Sequence, residues 1–555
     1  MIRSVWGIGA GGCLALIGGA GLAEPDPGAR LLDEQQEAQQ ETNQAPSGSK
    51  ITTARPGPVK EDICFPIEKI AVRGVTVIDS ASIEAVIDRF ANQCLGQQSI
   101  GNLVQSLSAV YADKGYITTR AYVPAQDISG KILLVDVLEG RIEAFAYQQV
   151  DENNTPKAGA PRKINSAFPI KAGDIFNLRA IEHGLEQMNR LASSQAGANL
   201  TPGQAPGTSV VAITERKVDW LRGKGTIDNT GATATGKTRL SFVLEADDLL
   251  NLNETYSISY AGSENTNAIA YSFSIPSGYW LFSTYGSYSE ELTILTPVSD
   301  VFSQTSNFGL KAERLLFRND KSKVYAYGAF GVYQNKRFVN IAPLTPQNRA
   351  NLRFGIRNEH NFEKWSLSAD TSVAFGVKVF GADWDPAVLF PGSAQAKFKK
   401  LETRITLRRG FENGNALAFS LTGQLANAPL FSNEQISVGG WSSVRGYDGF
   451  GGSGDTGAYL RADYSFKAKP VTIFGGNKET KTPKGAWRPY IFMDLGYVHS
   501  RATHQSSTLA GVGFGLNATY GRVSINAAGA IPLIEQGGQG IGNFQGQISV
   551  TYKFF

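Results

Sequence analysis

From about residue 219 to the C-terminus, polar and apolar side chains alternate along segments of ten to fourteen residues separated by turn residues, with no convincing helical period among them. Period-two alternation is the signature of a strand with two unlike faces. About sixteen such segments follow one another, near 222–230, 237–246, 254–262, 267–276, 279–288, 305–316, 322–334, 350–360, 364–378, 397–410, 415–427, 457–468, 487–499, 507–518, 520–531 and 544–555. An even number of long alternating strands fits a bacterial transmembrane β-barrel. In lipid the sheet must close, because an open edge would leave backbone groups unpaired. Composition agrees: charged residues are 18%, below the usual quarter, glycines number 61 and aromatics make up 10%. The formal net charge of +4 is small for 555 residues and argues against nucleic acid as a partner.

The phase of the alternation assigns the faces. Over 487–498, Trp487, Pro489, Ile491, Met493, Leu495 and Tyr497 share one face, which suits lipid with an aromatic rim. Arg488, Tyr490, Phe492, Asp494, Gly496 and Val498 share the other and face the lumen. Strand 520–531 sets Val523, Ile525, Ala527 and Ile531 against Arg522, Ser524 and Asn526, and the last strand sets Ile548, Val550, Tyr552 and Phe554 against Gln547, Ser549, Thr551 and Lys553. This phase turns Phe554, not the terminal Phe555, to lipid. About sixteen strands enclose a lumen wide enough for water and a plug.

The preceding chain is organised differently. Arg3, an uncharged run from Ser4 to Ala23, and Gly21 and Ala23 at the −3 and −1 positions of a cut read as a signal peptide over residues 1–23. Cys13 lies behind Ala10-Gly11-Gly12 rather than a Leu-led box, which argues against a lipoprotein site. Ala29 to Glu41 lacks Gly and Pro and predicts a short helix within 24–42, with only Leu31, Leu32 and Ala38 on its apolar face. A helix of that length is marginal alone and needs a docking site. Residues 43–61, with Pro46, Pro56 and Pro58, predict a flexible linker.

Residues 62–141 then read β-α-α-β-β: a strand at Ile70–Val72, a helix capped by Asp79 or Ser80 with Ile83, Val86, Ile87 and Phe90 on one face, a second helix through Leu103, Leu107, Val110 and Tyr111, and strands near 118–124 and 131–138. Residues 142–217 repeat this more loosely, with Leu178, Ile181, Leu185, Met188 and Leu191 on one helical face. Removing the signal leaves Cys64 and Cys94, an even pair that reads as one disulfide in an exported chain. The four histidines, His183, His360, His499 and His504, show no metal or triad spacing, and His499 and His504 flank a predicted turn. The sequence thus points to no cofactor, no metal and no catalytic constellation.

The residues with functional promise lie late in the chain. Val444-Arg445-Gly446-Tyr447 sits in a Gly-rich connection near 428–456, and Asp494 lies on the polar face of its strand between Phe492 and Gly496. Were the loop folded inward, the planar fork of Arg445 suits a carboxylate. Gly439, Gly440 and Gly446 permit the turns required. Gly511, Gly513 and Gly515 alternate on the lumen side of the next strand, leaving room for a folded-in loop. On spacing alone a solvated extracellular loop is the better reading.

Here the residues resemble a family. Cys64-Phe65-Pro66, Asp113-Lys114-Gly115-Tyr116 with Thr119-Arg120 and Gln126-Asp127, Val137-Leu138-Glu139-Gly140-Arg141-Ile142, Leu178-Arg179, Pro202-Gly203 and Asp228-Asn229-Thr230-Gly231 occur in this order. Glu434-Gln435, Gly439-Gly440, Val444–Tyr447 and Phe492-x-Asp494-x-Gly496 complete the series. The mature chain resembles the TpsB transporters of two-partner secretion, the hemolysin secretion/activation group of the outer-membrane insertase superfamily. The resemblance implies two α+β POTRA domains in the periplasm before a sixteen-stranded antiparallel barrel in the bacterial outer membrane. It gives the N-terminal helix the role of a plug, places the 428–456 loop in the lumen and pairs Arg445 with Asp494. It further implies that the POTRA domains bind a partially unfolded TpsA exoprotein by strand addition. The exoprotein, an adhesin, a cytolysin or a contact-dependent toxin, is exported with its own folding as driving force. Outer-membrane lipid and, during biogenesis, the barrel assembly machinery are the remaining implied partners. The competing readings are an insertase of the same superfamily, which tends to carry more POTRA domains, and a passive porin, which needs none.

Overall fold

In a computed structural model the described residues are 26–42, 54–150, 156–157, 161–231, 233–296, 299–448, 451–471, 485–536 and 539–555. The signal-peptide expectation and most of the predicted linker lie outside them.

Residues 221–553 form a closed antiparallel barrel of eighteen hydrogen-bonded segments. Two of these, Ala342–Pro343 and Lys469–Val471, are short extensions, which leaves sixteen strands. All sixteen fall on the alternating segments. Closure joins the first strand, Leu221–Asp228, to the last, Gln545–Lys553, over five register pairs from Lys224↔Lys553 to Asp228↔Ser549. The assigned faces hold: Ile491, Met493, Leu495 and Tyr497 are 42–49% exposed toward lipid, while Tyr490, Phe492, Asp494 and Val498 are buried inside. Phe554 points outward near Phe242, and its N–H donates to the Gly223 carbonyl. Two strands run well past the expected bounds, Trp280–Thr296 and Ser299–Arg318. Their ladder continues through Ser287, Ser289, Thr305 and Ser306, where apolar alternation stops but backbone pairing does not.

Before the barrel stand two small α+β units. In the first, helices Ser80–Ile87 and Gln97–Asp113 pack on strands Lys69–Arg73, Arg120–Tyr122 and Ile132–Leu138 around Phe90, Leu103, Leu107, Tyr111 and Val135. Asp79 caps the first helix by accepting from the Ser82 N–H. A short pair, Phe65–Ile67 with Gln93–Leu95, adds to the expected order; it aligns Pro66 with Cys94 and brings the Cα atoms of Cys64 and Cys94 to 5.3 Å in a disulfide. Residues 54–61 differ from the expected free linker. Asn102 and Ser106 donate to the Gly57 and Pro56 carbonyls, and the Glu61 carboxylate accepts from the Gln98 and Ser99 N–H groups at the N-terminus of the second helix. Helix-end donors and amide side chains, rather than apolar contacts, fix this segment, so no periodicity announced it.

The second unit carries a four-stranded sheet edged by Ser194–Pro202, and helices Pro161–Ala167 and Leu178–Asn189. The short helix Pro161–Ala167 occupies what reads in sequence as a polar stretch, because it buries Lys163. The Lys163 ammonium lies 2.6 Å from Glu215 and 2.7 Å from Asp248 of a barrel turn, all three buried. The same face is held by Arg190 donating to the Asn253 carbonyl and Ser274, and by Arg318 paired with Glu186. His183 donates from Nε2 to the Gly278 carbonyl (3.0 Å), and burial holds its pKa down at about 4, so the imidazole is neutral there. This unit is therefore docked onto the periplasmic turns of the barrel.

Replacing both Cys64 and Cys94 with Ser releases a closure spanning 30 residues, worth about 3 kcal/mol in the chain-entropy model. Hydrogen exchange of helix Gln97–Asp113 in the intact protein is expected to accelerate by about a hundredfold; unchanged exchange would refute a stabilising role for the bridge.

Candidate functional site: a lumenal loop locked to the barrel wall

The barrel lumen holds two inserted elements. The first is helix Pro27–Thr42. Asp26 caps it by accepting from the Gly28 and Ala29 N–H groups and also accepts from Asn307 and Ser289 of the wall. Leu31 and Leu32 pack on Ala261, Ala268 and Ala270. Gln35 donates to Ser257 and Ser259, Arg30 donates to Thr230, and Glu34 pairs with Arg239, which also reaches Asp228 on the first strand. A weakly apolar helix finds its docking site here because the wall offers hydroxyls and amides, which an apolar-stripe reading does not register.

The second element is the connection between strands Ala416–Ala426 and Thr456–Ser465. It folds back into the lumen and carries a small hairpin, Ile436–Val438 with Gly452–Gly454, that the sequence reading treated as irregular. Its base is fixed by Asp455, whose carboxylate accepts from the Leu430 and Arg501 N–H groups. Its flank is fixed by Glu434, 2.8 Å from the buried Lys400 ammonium, which also contacts Glu402.

At the tip, Val444, Arg445, Gly446 and Tyr447 are buried. Arg445 grips Asp494 bidentately, Nε to Oδ2 at 2.6 Å and Nη2 to Oδ1 at 2.7 Å, and its backbone N–H donates to the same carboxylate at 3.0 Å. Asp494 is 0% exposed. The remaining arm, Nη1, reaches Asp463 at 2.7 Å. The guanidinium lies 3.6 Å from the centre of the Phe492 ring, so the fork is held in plane by a face below and carboxylates at its edge. Tyr447 donates its hydroxyl to the Ile534 carbonyl (2.8 Å) and accepts from the Ala510 N–H (3.2 Å). Gly446 has φ +104°, a conformation a side chain would strain.

The glycines divide by role. A Cβ on Gly511 would overlap the Arg445 carbonyl, and one on Gly496 would come within 2.7 Å of Val444, so both make room for the loop. Gly513 and Gly515 face the lumen, where a Cβ on Gly513 would meet the Gly529 carbonyl and the Phe492 ring, and one on Gly515 the Tyr490 ring. The loop meets these rings through Arg445 stacked on Phe492 and through Trp441 packed on the same cluster. Asp463 escaped the sequence reading, although its phase on strand Thr456–Ser465 turns it inward, opposite Phe492 in register. His499 and His504 stay at the turn, with His499 against Ser506. Among the described residues no cluster of His, Cys, Asp or Glu could hold a metal ion.

Comparison with known proteins accords with this geometry. The haemolysin secretion/activation protein family ShlB/FhaC/HecB matches residues 207–518, a ShlB-type POTRA domain matches 65–140 and a further POTRA domain matches 141–202. An outer membrane transporter CdiB of Dickeya dadantii is 30% identical over 80% of this chain and 79% of its own. The hemolysin transporter protein ShlB of Serratia marcescens is 26% identical over 83% and 81%. The solved structure of CdiB from Escherichia coli superposes with a TM-score of 0.82 at 27% identity, covering 95% of this chain and 97% of that one.

Arg445→Ala leaves the Asp494 carboxylate buried without its partner, a loss of about 3–5 kcal/mol for a broken buried pair. Arg445→Lys cannot span both Asp494 oxygens and Asp463 with one ammonium. Both variants, and Asp494→Ala, are expected to insert as heat-modifiable barrels yet export poorly; full secretion by the alanine variants would refute the lock as a functional element. The family match over more than half of the chain, the two POTRA matches and the transporter at 30% identity together place this chain in the haemolysin secretion/activation family, the TpsB transporters of the outer membrane.

Proposed function

We propose that this protein captures a partially unfolded TpsA exoprotein on its periplasmic POTRA domains and passes it through the barrel to the cell surface. The observation that carries this reading is the edge strand Ser194–Pro202. It is paired on one side only, to Thr208–Lys217, and is exposed over most of its length. Its start is anchored at the barrel rim by Ser193, whose N–H donates to Asp247. A client segment added to that edge gains main-chain hydrogen bonds and is delivered beside the pore mouth. Strand addition is also selective for unfolded chain, since a folded client has no free strand to offer.

Helix Pro27–Thr42 acts as the resting plug. Its contacts with the wall are individually modest hydrogen bonds and ion pairs across a wet lumen, each worth about 1 kcal/mol or less. A plug held this way can be displaced by a client without breaking an apolar core. Between it and the lumenal loop lies a cavity of about 1060 Å³ that gives the chain a path to widen. The hemolysin transporters among the relatives make a cytolysin the first class to test, with an adhesin and a contact-dependent toxin beside it. The apolar face of the last strand, ending in Tyr552 and Phe554, is the segment we assign to the barrel assembly machinery during biogenesis.

Deleting residues 26–42 is expected to raise single-channel conductance in planar bilayers severalfold without loss of the folded barrel; conductance equal to that of the full chain would refute the plug. Co-expression with candidate exoproteins tests the export reading, which fails if none reaches the medium in a manner that depends on strand Ser194–Pro202.

A further inference from the structure

The lipid face of the barrel carries three cation–tryptophan pairs at one end only. Arg314 stands directly opposite Trp280 in the strand ladder, Arg409 opposite Trp365, and Lys469 opposite Trp487. In each pair the cation lies 5.2–5.4 Å from the indole centre. Phase puts all six side chains outside: Trp365 and Arg409 continue the stripe of Leu367, Leu407, Val373 and Leu401, and Trp487 continues that of Ile491 and Met493.

All three pairs sit at the periplasmic end. Trp280 follows the Gly278 turn that His183 contacts, and Trp365 follows the turn beside Arg318 and Lys323, which pair with Glu186 of the second POTRA domain. Trp487 lies at the end of its strand remote from His499, whose carbonyl anchors the base of the lumenal loop. Apart from a second ring on Arg409, that of Phe411, every other cation–ring contact among the described residues lies in the lumen or in the first POTRA domain.

The cations are not engaged by protein carboxylates. Among the described residues Arg314, Arg409 and Lys469 have no ion pair, whereas the lumenal arginines Arg353, Arg357 and Arg445 all do. Arg409 is held between Trp365 and Phe411, at 5.3 and 4.8 Å, and its Nε is buried without a hydrogen-bond partner. Rings against the cation fix its position while its outer N–H groups remain open to an acceptor, and each indole N–H offers a further donor. At the headgroup level of the periplasmic leaflet, the acceptor with matching charge is a lipid phosphodiester.

We propose that these three pairs are phosphate-binding sites for glycerophospholipid headgroups of the periplasmic leaflet. They set the depth of the barrel and keep the rim level where the second POTRA domain docks. The proposal depends on the barrel lying in lipid and not on any client.

Native mass spectrometry of the full chain with added phosphatidylglycerol tests it, with phosphate-free monogalactosyl diacylglycerol of the same acyl chains as the second probe. The wild type is expected to retain phosphatidylglycerol about fivefold better per site than the glycolipid, corresponding to about 1 kcal/mol per cation near an anionic headgroup. The triple variant Arg314→Gln, Arg409→Gln, Lys469→Gln is expected to lose that preference, and Arg409→Lys to keep it. Equal retention by wild type and triple variant, or equal retention of the two lipids by wild type, overturns the proposal. If the triple variant fails to give a heat-modifiable barrel, Arg409→Gln alone reads the same outcome as the loss of one adduct.

Discussion

In hydrocarbon a backbone N–H or C=O has no water to turn to, and the rest of this structure follows from that constraint. Sixteen strands close on themselves so that no edge faces lipid, and the five register pairs between Lys224–Asp228 and Ser549–Lys553 complete the ring. Closure fixes the phase of every strand. Apolar side chains go out, and the polar set, Asp494, Asp463, Lys400 and Glu402 among them, is turned into one enclosed space. The inserted elements must then be held by groups that tolerate water. The N-terminal helix is held through Asp26, Arg30, Glu34 and Gln35, and the loop through Glu434, Arg445 and Asp455, with Leu31, Leu32, Val444 and Tyr447 adding local apolar seats.

The loop lock is a graded assembly. Asp455 pins the base, Lys400 with Glu434 pins the flank, and Arg445 pins the tip. Beyond the tip, Asp448 accepts from Thr233 and Lys237 of the first barrel hairpin, so the loop also touches the strand pair at which the barrel closes. The inserted helix reaches the same strands through Glu34, Arg239 and Asp228. Loop and inserted helix thus share a wall, which couples the stability of each to the first two strands.

The barrel was legible because its physics is repetitive: a two-residue period over ten or more residues leaves little ambiguity, and phase alone turned Asp494 and Gly511 inward. The Arg445–Asp494 pairing was legible as chemistry, while its enclosure came from the resemblance. Features set by single contacts were not legible. Asp463 is one inward acid among several polar residues on its strand, and nothing local marks it as the third arm of Arg445. Gly513 and Gly515 were read as seats for the loop, but the bulk they accommodate comes from Phe492 and Tyr490 across the strand pair, a register fact invisible before pairing is known. The short helix Pro161–Ala167 and the docked segment 54–61 were hidden because their fixing partners, Glu215, Asp248, Ser106 and Asn102, lie far away in sequence or are amides and hydroxyls without periodicity.

The Val444–Tyr447 tip sits inside the barrel against the Asp494 strand. Cysteines introduced together at Val444 and Gly496, whose native contact is 2.7 Å from a Cβ built at Gly496, test it directly in intact outer membranes. With Cys64 and Cys94 replaced by Ser, a spontaneous intramolecular disulfide between the two introduced thiols is expected, seen as a reducible shift in gel mobility and absent from either single variant. Two thiols that stay free in the folded, membrane-inserted barrel would contradict it.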